Sequence, residues 1–305
     1  MTAIPCTRRK AKNRQAIADN RAGYLFIAPW LFGFFVFTLF PMLASLYLAF
    51  TKYDGFGAPE FIGLENFRTM FSDPVFYTSL GVTFKYVLLL VPFRLAFSLL
   101  IAMILATRSH KGIGIYRTLF YVPSLLGGSV AIAIIWGKLF GADGALNSLL
   151  QAVGLNVTRS WVGEPGTALY VLVLLGVWQF GSSMGLFLSA LKQVPQSLYE
   201  AARIDGCSVF KTYFSIVLPL LKPAMATLII MQAFQIWNDY LLASLYVSKK
   251  QLKTLTVAIQ SLFSAQTSDY TTAMAAIVLS VLPIAVLFMC LQKYFIKGMT
   301  VGAVK

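Results

Sequence analysis

The sequence predicts an all-α polytopic membrane protein with six transmembrane helices and both termini in the cytoplasm. Its composition is the first reason: 58% of the 305 residues are hydrophobic and only 12% are charged. Soluble domains carry about 45–50% apolar and about 25% charged residues, so this excess is too large for one soluble core. A helical bundle in lipid needs such an excess, because its lipid-facing surfaces are apolar as well.

Six apolar segments are long enough to span a bilayer, since a helix needs about 20 such residues to cross about 30 Å of hydrocarbon. The first follows a basic segment, 1–23, and is too long for the apolar region of a cleaved signal peptide, so we expect an uncleaved span. The six segments are 24–50, 79–106, 115–136, 168–191, 223–247 and 272–294.

The Lys and Arg residues predict the orientation of these spans, because cytoplasmic connections carry an excess of them. The N-terminal segment, the second-to-third and fourth-to-fifth connections and the tail together hold most of the 25 Lys and Arg residues. We therefore expect a cytoplasmic segment 1–23, a six-span domain 24–294 with a cytoplasmic loop 192–222, and a cytoplasmic tail 295–305. The net charge of +14 then reflects topology, and we expect no nucleic-acid partner.

Few side chains offer chemistry of their own. The three cysteines, Cys6, Cys207 and Cys290, are far apart in the sequence, and His110 is the only histidine. A zinc site or a disulfide framework is therefore not expected. The chain lacks the glycine-rich P-loop pattern that binds nucleotide phosphates, and no Ser/His/Asp set is credible. We expect no catalytic residue and no metal.

The loop 192–222 carries signals of local order. Ser197 stands three residues before Glu200, which is the spacing of a capping box and predicts a short helix over 198–205. Gly206 is expected to end this helix, since glycine adopts the left-handed conformation there without steric cost.

A second helix is expected to begin after Ser208 and to carry Phe210, Phe214 and Val217 on one stripe. Two prolines then bend the chain back into the fifth span, because proline interrupts helix geometry. They are Pro219 and Pro223.

The same loop matches a long motif. Glu200-Ala201-Ala202 is followed after three residues by Gly206, then after nine by Ile216, and after one more by Leu218-Pro219. This pattern resembles the EAA motif of permease subunits of binding-protein-dependent ABC importers, and every position is met. Further segments resemble the carbohydrate-uptake branch and, within it, the larger maltose-transporter permease subunit, without a large periplasmic insertion. They are Ala28-Pro29, residues 63–67, Tyr116-Arg117-Thr118, residues 144–147 and residues 298–300.

The resemblance implies a non-catalytic subunit that moves a sugar or oligosaccharide, neutral or anionic, across the cell inner (cytoplasmic) membrane by alternating access. Its partners would be a second homologous permease subunit, two ATP-binding subunits, an extracytoplasmic solute-binding protein and the lipid bilayer. ATP and Mg would be bound by the ATP-binding subunits, leaving this chain without a cofactor. The residues implied at the contact with the ATPases are Glu200, Ala201, Ala202, Asp205, Gly206, Phe210, Ile216, Leu218 and Pro219.

Polar residues inside the spans are candidates for a substrate path, because such groups usually face a cavity or another helix. Amides and carboxylates beside aromatic rings suit sugar recognition, which combines hydrogen bonds to hydroxyls with apolar faces. The alternative is hydrogen bonding between helices, which is common in membrane bundles. The candidates are Trp178, Gln179, Ser182, Ser183, Gln235, Asn238, Asp239 and Tyr240, together with Arg94 of the second span.

Spacing sorts the candidates of the fifth span. On a continuous helix, Gln235, Asn238 and Asp239 lie on one side at i, i+3 and i+4, and Trp237 points elsewhere.

Arg94, near the middle of the second span, has three interpretations. It pairs with Asp239, it attracts an anionic sugar, or it faces a subunit interface or snorkels to the membrane surface. Lys85, nearer the outer end, most simply snorkels.

In the third span, Pro123, Gly127 and Gly128 predict a kinked helix.

A secondary, ion-coupled transporter is the alternative to an ABC permease, although such proteins often contain inverted repeats and none is clear here. The sequence does not identify the transported solute, which is a neutral oligosaccharide, a uronate-containing oligosaccharide or a glycerophosphate-type polyol.

Overall fold

The computed structural model of the chain describes residues 23–55, 57–107, 112–246, 250–263 and 270–303, with side chains up to Lys293 except those of Thr107 and Lys250. The basic segment 1–22 with Cys6, the turn that holds His110, and Val247 at the expected end of the fifth span lie outside the described residues. So do residues 304–305 of the tail.

Helices make up most of the described chain, and a small antiparallel sheet pairs β1 (Thr51–Lys52) with β2 (Glu60–Phe61). A short 3-10 turn covers Lys250–Leu252. In chain order the helices are α1 (Gly23–Leu48), α2 (Glu65–Ser72), α3 (Pro74–Thr107), α4 (Ile113–Leu126), α5 (Val130–Leu139), α6 (Ala145–Ala152), α7 (Ala168–Trp178), α8 (Gly181–Lys192), α9 (Gln196–Ile204), α10 (Val209–Leu220), α11 (Lys222–Trp237), α12 (Leu241–Tyr246), α13 (Leu255–Leu262) and α14 (Tyr270–Ala303).

Three helices are long and apolar enough to cross a membrane by themselves: Gly23–Leu48 in α1, Pro74–Ala106 in α3 and Tyr270–Lys293 in α14. Three further candidate spans are pairs of consecutive helices, and every such pair is bent. The bend is 95° between α4 and α5, 45° between α7 and α8, and 66° between α10 and α11. The described residues therefore give three spans, or up to six if each bent pair is one span.

The third span shows the kink that its sequence predicts, but as a complete break. α4 ends at Leu126, and α5 begins at Val130 at an angle of 95°. Ser129 caps α5, because its hydroxyl accepts a 3.4 Å hydrogen bond from the N–H of Ile132. Two glycines followed by a capping residue allow the chain to leave one helix and start another, which explains a turn much sharper than a proline kink.

The fifth span is not the single helix expected over 223–247. α11 ends before residues 238–240, and α12 follows them. Two side chains bond to the backbone at this point: Asn238 donates a 2.9 Å hydrogen bond to the carbonyl oxygen of Phe234, and Asp239 caps α12. Asn and Asp compete with helical hydrogen bonds in this way, which is why they favour helix ends.

α3 is the centre of the packing and contacts α7, α8 and α11. Tyr86 and Leu90 of α3 are 2% and 1% exposed, and Leu172 and Phe187, both 1% exposed, bring α7 and α8 into the same core. α1 differs, because no residue of its apolar window is buried. Its contact with α14 comes from its last part, Phe40–Leu48.

The crossing of α4 and α8 depends on a glycine. A Cβ added at Gly181 would overlap with the carbonyl oxygen of Phe120 and lie 2.7 Å from the Cα of Tyr121, both in α4. At Gly185, one turn further along α8, an added Cβ would meet nothing within 4 Å. The two glycines therefore have different surroundings on the same helix.

Replacement of Gly181 with Ala should lower the temperature of thermal unfolding, because the added methyl group overlaps with backbone atoms. Overpacking of this kind costs about 1–3 kcal/mol. Gly185→Ala is the matched control and should leave the unfolding temperature unchanged or raise it, since alanine is better than glycine in a helix by about 1 kcal/mol. The measurement is thermal unfolding of both purified variants in one detergent, and equal effects would contradict the close crossing.

Candidate functional site

A pocket of about 140 Å³ lies where the breaks in three spans come together. Gly128 lines it at the break in the third span, Gln179 at the break in the fourth, and Asp239 beside the end of α11. Its other polar groups are Tyr86 and Arg94 of α3 and Gln235 of α11. We call it the central pocket. Non-helical backbone at membrane depth is tolerated where it is buried in protein or lines a cavity, and this pocket meets that condition.

Arg94 stabilises the break in the fourth span. Its side chain is 5% exposed, and its Nη2 donates a 2.7 Å hydrogen bond to the carbonyl oxygen of Gln179. One turn further along α3, the hydroxyl of Ser98 lies 3.1 Å from the carbonyl oxygen of Phe180. The end of α7 leaves the carbonyl oxygen of Gln179 without a partner in its own helix, whereas that of Phe180 already accepts a 2.9 Å hydrogen bond from the N–H of Met184. Arg94 therefore supplies the missing donor, while Ser98 shares its one hydroxyl proton with the carbonyl oxygen of Arg94 at 2.6 Å.

This geometry corrects two of the roles expected for Arg94. The side chain is buried inside the chain, so it neither snorkels to the membrane surface nor faces a subunit interface. Among the described residues, no Asp or Glu oxygen lies within 4.0 Å of Arg94, so it does not form an ion pair with Asp239. Lys85 lies apart from this site, with its Nζ 5.4 Å from the centre of the Tyr170 ring in a cation–π contact.

Both carboxylate oxygens of Asp239 have donors. Oδ1 accepts a 3.2 Å hydrogen bond from the N–H of Leu242, and Oδ2 accepts one of 3.3 Å from the hydroxyl of Tyr86. Its carbonyl oxygen accepts a 3.0 Å hydrogen bond from the hydroxyl of Thr256. Asp239 therefore caps α12 and ties this helix to α3.

The end of α11 also changes the arrangement expected for the fifth span. Because α11 stops at Trp237, no continuous helical face joins Gln235, Asn238 and Asp239. Gln235 and Asp239 line the central pocket, whereas Asn238 is exposed and does not. Trp237 points elsewhere, as expected, and its Nε1 donates a 3.0 Å hydrogen bond to the carbonyl oxygen of Ser280.

The other candidates do not line the central pocket. Ser183 accepts a 3.0 Å hydrogen bond from Nε2 of Gln232, which links α8 to α11 in the helix–helix role that was the alternative. Trp178 packs against Trp136 with ring centres 5.8 Å apart. Two more lie outside the lining: Ser182 and Tyr240.

Sequence reasoning missed two residues that position this site, Tyr86 and Ser98. Together with Arg94 they are spaced by multiples of four residues, which places all three on one face of α3. All three are buried. A stripe of polar residues at this spacing in an otherwise apolar helix is the signal that could have found them.

α9 carries the first part of the EAA motif. Glu200 is exposed and Ala202 is 2% exposed. The expected capping box is wrong, because Pro195 is the N-cap of α9 and no side chain bonds to the cap. Proline fixes its own φ, here −60°, so the helix starts directly after it and Ser197 lies inside the first turn.

The end of α9 agrees with the prediction. Gly206 has a φ of +69°, in the left-handed region. The N–H of Cys207 donates to the carbonyl oxygen of Ala202 at 2.9 Å, and that of Gly206 donates to Arg203 at 3.1 Å. This pair of hydrogen bonds is a Schellman motif, which fixes the direction of the chain after the helix. Tyr199, on the same helix, is half-buried, and burial raises the pKa of its phenol.

α10 departs from its expected pattern. Ser208 does cap it, by accepting a 3.3 Å hydrogen bond from the backbone N–H three residues later. The single stripe is wrong, however, because a π-helical turn at Tyr213–Val217 shifts the phase of the helix. Phe210 and Phe214 are 77% and 60% exposed, whereas Val217 is 1% exposed.

The Gly206 turn is surrounded by exposed apolar side chains. Ile204 is 86% exposed, Val209 84% and Phe210 77%, and we call these three the exposed apolar cluster. Of the remaining motif residues, three are exposed: Ala201, Asp205 and Pro219. Two are half-buried: Ile216 and Leu218.

Within the described residues, no group of three or more His, Cys, Asp or Glu side chains could hold a metal ion.

Comparison with known protein families identifies the family of this chain. The sequence profile of the family described as "Binding-protein-dependent transport system inner membrane component" matches residues 98–301, about two thirds of the chain. The chain belongs to this family. The matched segment of this permease includes the breaks at Gly128, Gln179 and Asp239 and the whole loop around Gly206.

Named relatives are permease proteins as well. The "Probable ABC transporter permease protein YesP" of Bacillus subtilis (strain 168) is 50% identical over 230 residues, which cover 75% of this chain and 74% of YesP. The "Arabinooligosaccharides transport system permease protein AraP" of the same strain is 31% identical over 243 residues, or 77% of this chain and 76% of AraP. The family expected from the EAA motif is thereby confirmed, and a secondary transporter has no support.

A solved structure has the same fold. It is a chain of a bacterial alginate ABC transporter in complex with an alginate pentasaccharide-bound periplasmic protein. The TM-score is 0.80 at 21% identity, over 91% of this permease and 94% of that chain. The permease therefore has the fold of an ABC importer subunit.

Replacement of Asp239 with Ala should destabilise the permease, because the cap of α12 is lost together with the acceptor for Tyr86. Loss of a helix cap typically costs about 1 kcal/mol. Asp239→Asn should keep most of the stability, since Asn caps helices about as well as Asp. Thermal unfolding in detergent compares the two variants, and an equal loss in both would show that the charge, and not the cap, stabilises this connection.

Proposed function

We propose that this permease is the transmembrane subunit of an ATP-driven, binding-protein-dependent importer that moves a sugar or oligosaccharide by alternating access. The observation that carries the proposal is the family match over residues 98–301, because one matched segment contains both the helix breaks at the central pocket and the loop with the exposed apolar cluster. The name of AraP, a relative at 31% identity, supports a sugar as the solute.

The proposed topology has six spans in the cell inner (cytoplasmic) membrane: α1, α3, α4 with α5, α7 with α8, α11 with α12, and α14. Both termini and the loop 192–222 then lie in the cytoplasm, as the excess of Lys and Arg on that side favours. The six-span domain 24–294 lies between the segment 1–23 and the tail 295–305. In this topology α2 and α6 lie on the outer side.

The proposed assembly contains a second homologous permease subunit, two ATP-binding subunits and an extracytoplasmic solute-binding protein. The periplasmic protein bound to the alginate ABC transporter is consistent with the last of these. ATP and Mg would be held by the ATP-binding subunits, so this chain supplies no catalytic residue and no cofactor. Its own role would be to transmit the ATP-driven conformational change to the central pocket.

The proposed contact with an ATP-binding subunit is formed by α9 and the exposed apolar cluster. Burial of a side chain such as Ile204, Val209 or Phe210 in an apolar cleft would contribute about 1.5–3 kcal/mol each. The Schellman motif at Gly206 holds α9 and α10 in a fixed relation, so a displacement of α9 would carry α10 with it.

The proposed substrate path runs through the central pocket, where Arg94, Gln179, Gln235 and Asp239 offer hydrogen bonds to sugar hydroxyls. α11 begins directly after α10 and ends beside the pocket. Movement of the cytoplasmic loop would therefore reach Gln235 and the connection to α12 through one helix. The bent spans supply places where helix angles can change between two states, as alternating access requires.

Replacement of Val209 with Ser should reduce the amount of ATP-binding subunit that co-purifies with the permease, and with it ATP-dependent uptake, because the contact loses apolar area. Val153→Ser is the matched control, since Val153 is 77% exposed against 84% for Val209 and follows α6 on the outer side. Pull-down from membranes that contain all subunits measures the effect. Equal retention of the ATPase by both variants would contradict a contact at the exposed apolar cluster.

Replacement of Gln235 with Ala should raise the KM of sugar uptake, because its exposed amide lines the central pocket. A hydrogen bond contributes about 0.5–1.5 kcal/mol, so the change should be roughly two- to tenfold. Gln260→Ala removes an exposed amide from α13, away from the pocket, and serves as the control. Uptake of radiolabelled sugar at increasing concentration gives both KM values. Identical values would place the path elsewhere.

A further inference from the structure

We infer that the sugar bound in the central pocket carries a negatively charged group, a carboxylate or a phosphate, and that Arg94 recognises it. The inference rests on the proposed function and adds the charge of the substrate and the residue that selects it. It is carried by one unusual juxtaposition: a buried guanidinium that lines a pocket and has no counter-charge among the described residues.

The guanidinium of Arg94 is almost completely enclosed but has few partners. It is 5% exposed and makes a 2.7 Å hydrogen bond through Nη2 to the carbonyl oxygen of Gln179. Its Nε is buried and has no hydrogen-bond partner in the part of the chain that the structure describes. A guanidinium has five N–H donors, so several remain available. The pocket is the cavity that Arg94 lines, and a ligand there could use them.

Asp239 is the acidic side chain in the lining of the same pocket, but it does not neutralise Arg94. Its two oxygens accept from the N–H of Leu242 and the hydroxyl of Tyr86, and no ion pair within 4.0 Å joins it to Arg94. In this pocket, both carboxylate oxygens of Asp239 accept hydrogen bonds, whereas the guanidinium of Arg94 retains donors that are not used.

An anionic group would complete this arrangement. A hydroxyl can accept a hydrogen bond from Arg94 but leaves its charge uncompensated, and a buried charge without a partner is costly. A carboxylate or phosphate supplies the opposite charge and matches the fork of guanidinium donors, so two hydrogen bonds form at once. Gln235 and Gln179 remain for the hydroxyl groups of the sugar, since amides both donate and accept.

A purely positioning role is the alternative for Arg94, because its bond to Gln179 also satisfies a carbonyl at the break in the fourth span. The two roles predict different results. A positioning residue that only holds the break should affect neutral and anionic sugars equally, whereas a recognition residue should affect anionic sugars more.

The first test measures the charge of the pocket without any sugar. Gln235→Cys is made in a chain whose Cys6, Cys207 and Cys290 are replaced by Ser, within the complex of all subunits. The thiol is then treated with a negatively charged sulfonatoethyl methanethiosulfonate or a positively charged trimethylammonioethyl methanethiosulfonate. Arg94 should favour the negative reagent, so the ratio of the two rates should fall by about tenfold on Arg94→Gln and stay high on Arg94→Lys. An unchanged ratio in Arg94→Gln would overturn the inference.

The second test measures uptake into vesicles that contain all subunits, the binding protein and ATP. The probes are paired sugars: digalacturonate with galactobiose, and glucose 6-phosphate with glucose, so that carboxylates and phosphates are distinguished. We expect uptake of an anionic member and a loss of at least about tenfold on Arg94→Gln, with partial recovery in Arg94→Lys. Thermal unfolding of the same variants in detergent identifies any loss that comes from a destabilised break.

The remaining outcomes separate the inference from the proposed function. Uptake of neutral members alone, or an equal loss of neutral and anionic uptake in Arg94→Gln, would overturn the inference and leave the sugar importer in place. Absence of uptake for every probe would count against the proposed sugar substrate and this inference together. In that case the thiol reaction rates still decide whether Arg94 sets the charge of the pocket.

Discussion

The constraint on which the rest of this structure depends is that a carbonyl group released by a broken helix must find a donor inside the membrane. Water is absent there, and each unsatisfied backbone group costs several kcal/mol. The fourth span can break after α7 because Arg94 brings a donor to the carbonyl of Gln179. The long, unbroken α3 thus permits the break in the fourth span, and the pocket lies beside that break.

The helix ends that were predicted correctly from the sequence are those set by neighbouring residues. Gly206 ends α9 and Ser208 starts α10 because the decisive contacts lie within a few residues of each glycine or serine. The predicted capping box is wrong for an equally local reason. Pro195 is the N-cap of α9, so the helix has already begun when the chain reaches Ser197. The break at Gln179 could not be predicted in this way, because it depends on a side chain 85 residues earlier in the chain.

The candidate site shows the same division. Residue type and depth in a span were enough to select Arg94, Gln179, Gln235 and Asp239, all of which line the central pocket. Helical spacing then misplaced Asn238, because a polar residue at a helix end bonds to its own backbone and stops the helix that the spacing assumes. Tertiary hydrogen bonding therefore decided which polar residues share a cavity and which, like Ser183, join two helices.

α1 has a practical consequence for handling this protein outside a membrane. The described residues bury no part of its apolar window, so lipid or detergent would cover that surface. In detergent solution an isolated chain would carry a correspondingly wide micelle around α1, and its apparent size on a gel-filtration column would exceed that of the packed core. Because the core is formed by other helices, the amount of bound detergent and the stability of the bundle are governed by different parts of the molecule.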